Sequence, residues 1–256
     1  AASDVYKRQL RYKGAYDHLI VECTISNRGD DVFRPEYSRL FIGVDSEMKT
    51  YPDWDTKFFP TLLRCEKDFA WGYFMSPRQI IMGIGVEEPV ASYTLNYVYE
   101  GSMEWKWGHQ IKTGSLDLLH CLPLPERHPQ NNISLKPHET RKWTLHLGVV
   151  DRLAGVKEKL SQWIQAPMIE CEKYTMAGHE TSRLLIHSQS GLEKLIVKAP
   201  DGTQSVLPVD GVADNVYSAL FSPSSQKGLY RITATAINGK TAEASIYIRN
   251  PWSWYM

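Results

Sequence analysis

Between residues 19 and 150 apolar and polar positions alternate with a period of two, and no segment shows a helical period. Leu19–Asn27 (LIVECTISN) reads as a strand that ends in the turn Asn27-Arg28-Gly29-Asp30, and Tyr37–Val44 reads as another. Asp45–Pro60 breaks the pattern; polar and aromatic, with prolines at 52 and 60, it predicts a long loop. Leu62–Cys65, Phe69–Met75, Gln79–Val86, Tyr93–Tyr99, Leu116–Leu122 and Trp143–Val150 follow, rich in β-branched or aromatic residues. About eight to ten strands with no helix between them predict a large antiparallel β-sandwich over residues 10–150.

The period then changes. Asp151 stands as a candidate N-cap, and Leu153, Val156, Leu160, Trp163 and Ile164 fall at helical spacing before Pro167. Residues 151–173 read as a linker helix. Short strands return over 174–249, at Leu184–His187, Leu195–Lys198, Ser205–Pro208, Tyr217–Phe221, Leu229–Ala236 and Ala242–Ile248. Asn238-Gly239 between the last two predicts a hairpin with both turn residues at positive φ. Gly228-Leu229-Tyr230 reads as a tyrosine corner, whose phenol bonds back to upstream backbone. The expected fold is all-β: a supersandwich-like first unit, then a smaller immunoglobulin- or fibronectin-like sandwich. With no inter-sheet cysteine pair and no core Trp, the second unit does not match antibody domains.

Both ends carry unusual segments. Asn250–Met256 (NPWSWYM) would expose three aromatics and a Met, so it is expected to begin a linker (250–256) into a further domain. Ala1–Gln9 (AASDVYKRQ) resembles the translated adapter sequence found at the edges of metagenomic gene models. Residues 1–9 are therefore expected to be non-native and are set aside from the fold.

Composition narrows the function. The formal net charge is zero and no basic run occurs, which argues against nucleic acid as a partner. No apolar stretch approaches a membrane span, so no membrane partner is expected. Met82-Gly83-Ile84-Gly85 lacks the third glycine and the helix of a dinucleotide site, and no GxSxG, HExxH or Walker motif occurs. Cys23, Cys65, Cys121 and Cys171 have no zinc spacing and read as buried thiols. Neither cofactor nor metal is expected.

Aromatic residues supply the candidate chemistry: 8 Trp and 14 Tyr stand against 7 Phe. In Glu104-Trp105-Lys106-Trp107-Gly108-His109 a strand would put Trp105 and Trp107 on one face, about 6–7 Å apart, where both rings can stack on sugars. His109 ends this segment as a polar contact. Asp53, Trp54 and Asp55 lie on the predicted long loop, where two carboxylates flanking a ring suit sugar hydroxyls, with a calcium ion as the alternative. Leu124–Pro129 is a proline-bracketed loop with Glu126, Arg127 and His128. The other histidines (His18, His120, His138, His146, His179, His187) are scattered, and no three share ligand spacing.

Ile133–Val150 (ISLKPHETRKWTLHLGVV) resembles the closing strands of the N-terminal β-supersandwich of carbohydrate-active enzymes, through Leu135, Pro137, Glu139, Thr140 and Trp143. His138 stands where that pattern has Gly. In those bacterial glycoside hydrolases and polysaccharide lyases the sandwich precedes an (α/α)6 toroid that holds the catalytic acids. The resemblance therefore implies a metagenomic fragment: the non-catalytic N-terminal portion of a periplasmic or secreted enzyme. Its partners would be a glycan substrate and a C-terminal catalytic domain of the same chain. No catalytic residue carries over. One alternative is a stand-alone glycan-binding or adhesion protein. Another is a mutarotase-type enzyme using His109 with Glu104 or Glu126, although positions 104 and 109 fall on opposite faces of a regular strand.

Overall fold

The computed structural model describes residues 6–43, 58–99, 109–120, 132–224 and 226–254. The fold is all-β, with eighteen strands and one short α-helix among the described residues. The chain divides into two compact units, Ala1–Leu160 and Ser161–Met256, and the boundary falls inside the helix.

The first unit holds β1 (Tyr6–Gly14), β2 (His18–Asn27), β3 (Tyr37–Gly43), β4 (Phe59–Cys65), β5 (Ala70–Met75), β6 (Ile81–Val86), β7 (Ser92–Tyr99), β8 (His109–His120) and β9 (Thr140–Val150). A six-stranded antiparallel sheet runs β1-β2-β9-β6-β5-β4, and a three-stranded sheet runs β3-β8-β7. Alternation along each strand selects the inner face. Val21, Cys23 and Ile25 of β2 lie opposite Leu145, Trp143 and Arg141 of β9. Val21, Cys23, Ile25, Trp143 and Leu145 join Phe74, Ile84, Leu63 and Leu116 in one core. The indole N–H of Trp143 donates to the carbonyl of Pro89 at 3.0 Å. At Gly114 of β8 the two sheets touch: a Cβ there would stand 2.8 Å from the Phe74 ring and 3.0 Å from Leu63.

Several expectations are corrected here. Tyr6–Gln9, set aside from the fold, take part in it as the start of β1, which pairs with β2 from Tyr6↔Asn27 to Gly14↔Leu19. Phe59 and Pro60, placed in the long loop, open β4; the rest of that loop, up to residue 57, lies outside the described residues. β8 starts at His109, not Leu116, because its polar first half hides the strand period. Asp151 does not cap the helix. The chain enters through a 3-10 turn at Leu153–Gly155 whose cap, Arg152, is extended and makes no side-chain capping bond. The α-helix, α1, spans only Val156–Ile164.

At the second-unit end of α1, Gln165 takes a left-handed φ of 51°, which stops the helix before Pro167. The last carbonyls are capped by side chains of the unit's final hairpin. Lys240 Nζ donates to the Ile164 carbonyl at 2.9 Å and Asn238 Nδ2 to that of Gln165 at 2.7 Å. Such donors satisfy groups that the helix itself leaves open.

The second unit contains β10 (Met168–Cys171), β11 (Thr175–Ala177), β12 (Ser182–His187), β13 (Leu192–Lys198), β14 (Gln204–Val206), β15 (Gly211–Ala213), β16 (Val216–Phe221), β17 (Gly228–Ala236) and β18 (Thr241–Arg249). Its sheets run β10-β12-β16-β15 and β11-β18-β17-β13-β14, with β11 parallel to β18. That order matches the ABED and GFC sheets of immunoglobulin-type sandwiches. Phe221 and Tyr230 meet edge to face across the two sheets, 5.5 Å between centroids. The Tyr230 hydroxyl donates to the Gln226 carbonyl at 2.9 Å, the bond expected of a tyrosine corner.

The hairpins correct one detail of turn chemistry. At Asn238-Gly239 only Gly239 has positive φ, and its N–H donates to the Ala236 carbonyl. This is a type I turn followed by a left-handed glycine, and not a primed turn. The two-residue turn with both φ positive is Asp214-Asn215, between β15 and β16. Asp and Asn tolerate that region, so the primed turn needs no glycine.

Candidate functional site

The sugar-stacking candidates are not brought together by the described structure. Asp53, Trp54, Asp55, Trp105 and Trp107 lie outside the described residues, as do the loop Leu124–Pro129 and Cys121. His109 is the first residue of β8, opposite Tyr99 of β7. Cys23 is fully buried, and burial pushes its thiol pKa up.

The structure does assemble a site on the outer face of the six-stranded sheet. Because Val21, Cys23, Trp143 and Leu145 face the core, their neighbours Glu22, Thr144 and His146 face out. Antiparallel register then sets distant residues side by side. Ile20 lies opposite His146, His146 opposite Gly85, Gly85 opposite Trp71, and Trp71 opposite Arg64. In the neighbouring row His18 lies opposite Gly148, Gly148 opposite Gly83, and Gly83 opposite Tyr73. A glycine floor on β6 and β9 therefore separates a polar edge from an aromatic edge.

The polar edge is a continuous line of hydrogen-bonding groups. Glu87 Oε1 lies 2.7 Å from His146 Nε2, His146 Nδ1 lies 2.9 Å from His18 Nε2, and His18 Nδ1 lies 2.7 Å from Asp17 Oδ1. Lys159 of α1 pairs with the other Asp17 oxygen at 2.5 Å. The imidazoles are 5.0 Å apart between centroids, with side chains 5 % and 11 % exposed for His146 and His18. The carboxylates at the two ends keep about a third of their surface in water: Glu87 is 39 % exposed and Asp17 32 %. The line thus has a buried centre and wet ends.

Two further groups flank it. Glu22 is held between Lys142 at 2.5 Å and Lys13 at 2.9 Å, and these lysines lower its carboxyl pKa to about 2. The same bond raises the pKa of Lys142. Glu88 accepts the Thr144 N–H at 2.6 Å, which anchors the start of the turn after β6 to β9. On the aromatic edge, the Trp71 indole N–H donates to Glu66, which also pairs with Arg64 at 2.5 Å. Lys157 of α1 stands 5.8 Å from the centroid of the Trp71 ring, within cation–π range. The first turns of α1 therefore lie over this face, with Lys157 on the aromatic edge and Lys159 on the polar one.

Sequence reading treated His18 and His146 as scattered. They are 128 positions apart, and only the β2–β9 register joins them. Elsewhere in the unit, buried Asp117 accepts from Arg39 Nε at 2.7 Å and Ser92 Oγ at 2.6 Å, tying the three-stranded sheet together. Among the described residues no group of three or more His, Cys, Asp or Glu is arranged to hold a metal ion. No helix among them is long and apolar enough to cross a membrane.

No family model matches the sequence, and no curated protein matches it. Among solved structures, the polysaccharide lyase BACCELL_00875 superimposes with a TM-score of 0.68 at 16 % identity. The match covers 97 % of this chain and 35 % of the lyase, so the chain spans about a third of that protein. A DUF4785 family protein from Legionella pneumophila (TM-score 0.28, 8 % identity, 94 % of this chain and 65 % of that one) and the BSP domain of a biofilm associated protein (0.24, 9 %, 96 % and 52 %) align far less well. At this identity the first likeness is one of fold.

Proposed function

We propose that this chain is the non-catalytic β-sandwich portion of a glycan-active hydrolase or lyase. In this reading it packs on a helical catalytic domain of the same polypeptide and lends loops to that domain's cleft. The supporting observation is the superposition of nearly the whole chain on about a third of a polysaccharide lyase. The turn at Lys136–Glu139 agrees with the supersandwich pattern. Glu139 N–H donates to the Lys136 carbonyl, Pro137 takes the second position, and His138 has φ of 60° at the position where the pattern has Gly. The second unit is then an immunoglobulin-like brace, and the protein works in the periplasm or outside the cell. Trp105, Trp107, His109, Asp53, Trp54 and Asp55 are the proposed sugar contacts.

The test is affinity electrophoresis of the purified chain through gels carrying neutral or uronic-acid polysaccharides, with product assays in parallel. The expected result is no depolymerisation and weak retardation by one class of glycan, reduced in Trp105→Ala and Trp107→Ala. Depolymerisation by the chain alone would overturn the non-catalytic assignment. Tight retardation that needs no further domain would favour the stand-alone glycan-binding protein instead.

A further inference from the structure

The line Glu87–His146–His18–Asp17 carries an inference that does not depend on the glycan reading. Ionised carboxylates only accept hydrogen bonds, a neutral imidazole offers one N–H, and an imidazolium offers two. The outer contacts at 2.7 Å each take an N–H, from His146 Nε2 to Glu87 and from His18 Nδ1 to Asp17. The middle contact at 2.9 Å needs one more N–H, from either His146 Nδ1 or His18 Nε2. Three N–H groups on two rings make one imidazole and one imidazolium. With one proton fewer, two lone pairs face each other in the middle. With one more, two N–H groups meet head on.

We propose that His18 and His146 share a single extra proton in an imidazole–imidazolium hydrogen bond clamped between Glu87 and Asp17, and that this bond latches the first turns of α1 to the sheet through Lys159. The latch is closed with three protons on the pair: a fourth makes the centre repulsive, and loss of the shared one leaves two lone pairs facing each other. Glu22 carries its charge down to about pH 2, and Lys142, which also feels Glu87 and Glu88, holds its proton above its ordinary range. Glu88 is bound to the Thr144 N–H, and Lys157 of α1 lies against Trp71 on the opposite edge.

Histidine-15N NMR of the full chain reads the bond directly. The expected result near neutral pH is a nitrogen–nitrogen coupling across the hydrogen bond between His146 Nδ1 and His18 Nε2. One ring is imidazolium in population, and the pair is assigned by its loss in His18→Gln. Protection of the Lys157–Leu160 amides, relative to intrinsic exchange at the same pH, should fall by about tenfold in His18→Gln. Where His18→Gln does not fold, Asp17→Asn in the β1–β2 turn serves, since it breaks the Lys159 end of the latch. Two neutral rings without coupling at neutral pH would overturn the shared proton. Equal protection of these amides in wild type and variant would overturn the latch.

Discussion

The two faces of the β2–β9 pair are made by the same residues in alternation, yet they are held in different ways. On the inner face Val21, Cys23, Ile25, Trp143 and Leu145 are almost fully buried in a contiguous apolar core. On the outer face Glu22, Thr144, His146 and His18 form directed contacts with named partners. Burial is non-directional and scales with area, whereas each polar bond is a small net gain after the loss of water. The inner face should therefore govern whether the unit folds. The outer face should govern where α1 sits and how that depends on pH.

The largest effect expected is on the inner face. Trp143→Ala removes a fully buried ring and the bond to Pro89, and should cost about 3–5 kcal/mol in urea unfolding. A loss below about 1 kcal/mol would mean that the inner face does not dominate. Placing bulk between the sheets tests the same point from the other direction. Gly114→Leu puts a side chain where even a Cβ would press on Phe74, and overpacking of this kind costs about 1–3 kcal/mol or more.

The outer face should respond more weakly. His146→Leu keeps the volume roughly constant but removes both contacts of a nearly buried ring, the one to Glu87 and the one to His18. A loss of about 1–3 kcal/mol is expected. The second unit supplies a scale for neutral bonds. Tyr230→Phe deletes only the hydroxyl, which donates to the Gln226 carbonyl and is also bonded to Ser224 Oγ at 2.6 Å, and should cost about 1–2 kcal/mol, independent of pH between 5 and 9. If His146→Leu costs no more than Tyr230→Phe, and shows no pH dependence, the outer line is an ordinary set of surface bonds.

Inner-face positions were legible in the sequence because strand period is local. Leu19–Asn27, Phe69–Met75 and Trp143–Val150 announce their strands within a few residues, and so does the tyrosine corner at Gly228–Tyr230. What failed was either masked locally or set at long range. The first half of β8 (HQIKTG) offers little apolar alternation. The strands β10, β11 and β15 are only three or four residues long, too short to show a period. The outer line is a product of register: Glu87 meets His146 across 59 positions, and His146 meets His18 across 128. No motif scan reads such a set, because antiparallel pairing can bring any two strand positions together. The one sequence signal was a histidine at an outward position of a strand whose flanking inward residues, Trp143, Leu145 and Leu147, are apolar.

The smallest effect, and the sharpest internal control, lies one row along the same face. Glu22 sits between Lys142 and Lys13, and its carboxyl pKa falls from an ordinary 4.5 to about 2. A carboxylate depressed in the folded state adds stability that is fully present above its unfolded pKa and is lost as pH falls through the folded one. The window is therefore about pH 4.5 down to about 2. Since both lysines of the triad are at least half exposed, the loss in unfolding free energy should be slight and should fade in high salt. Carboxyl 13C shifts of Glu22 should titrate near 2 in the wild type and move back toward 4.5 in Lys142→Met. Backbone shifts of His18 and His146 should stay unchanged across that acid window. If they move with Glu22 instead, the two polar rows are one coupled network, and the division of labour within the outer face falls with it.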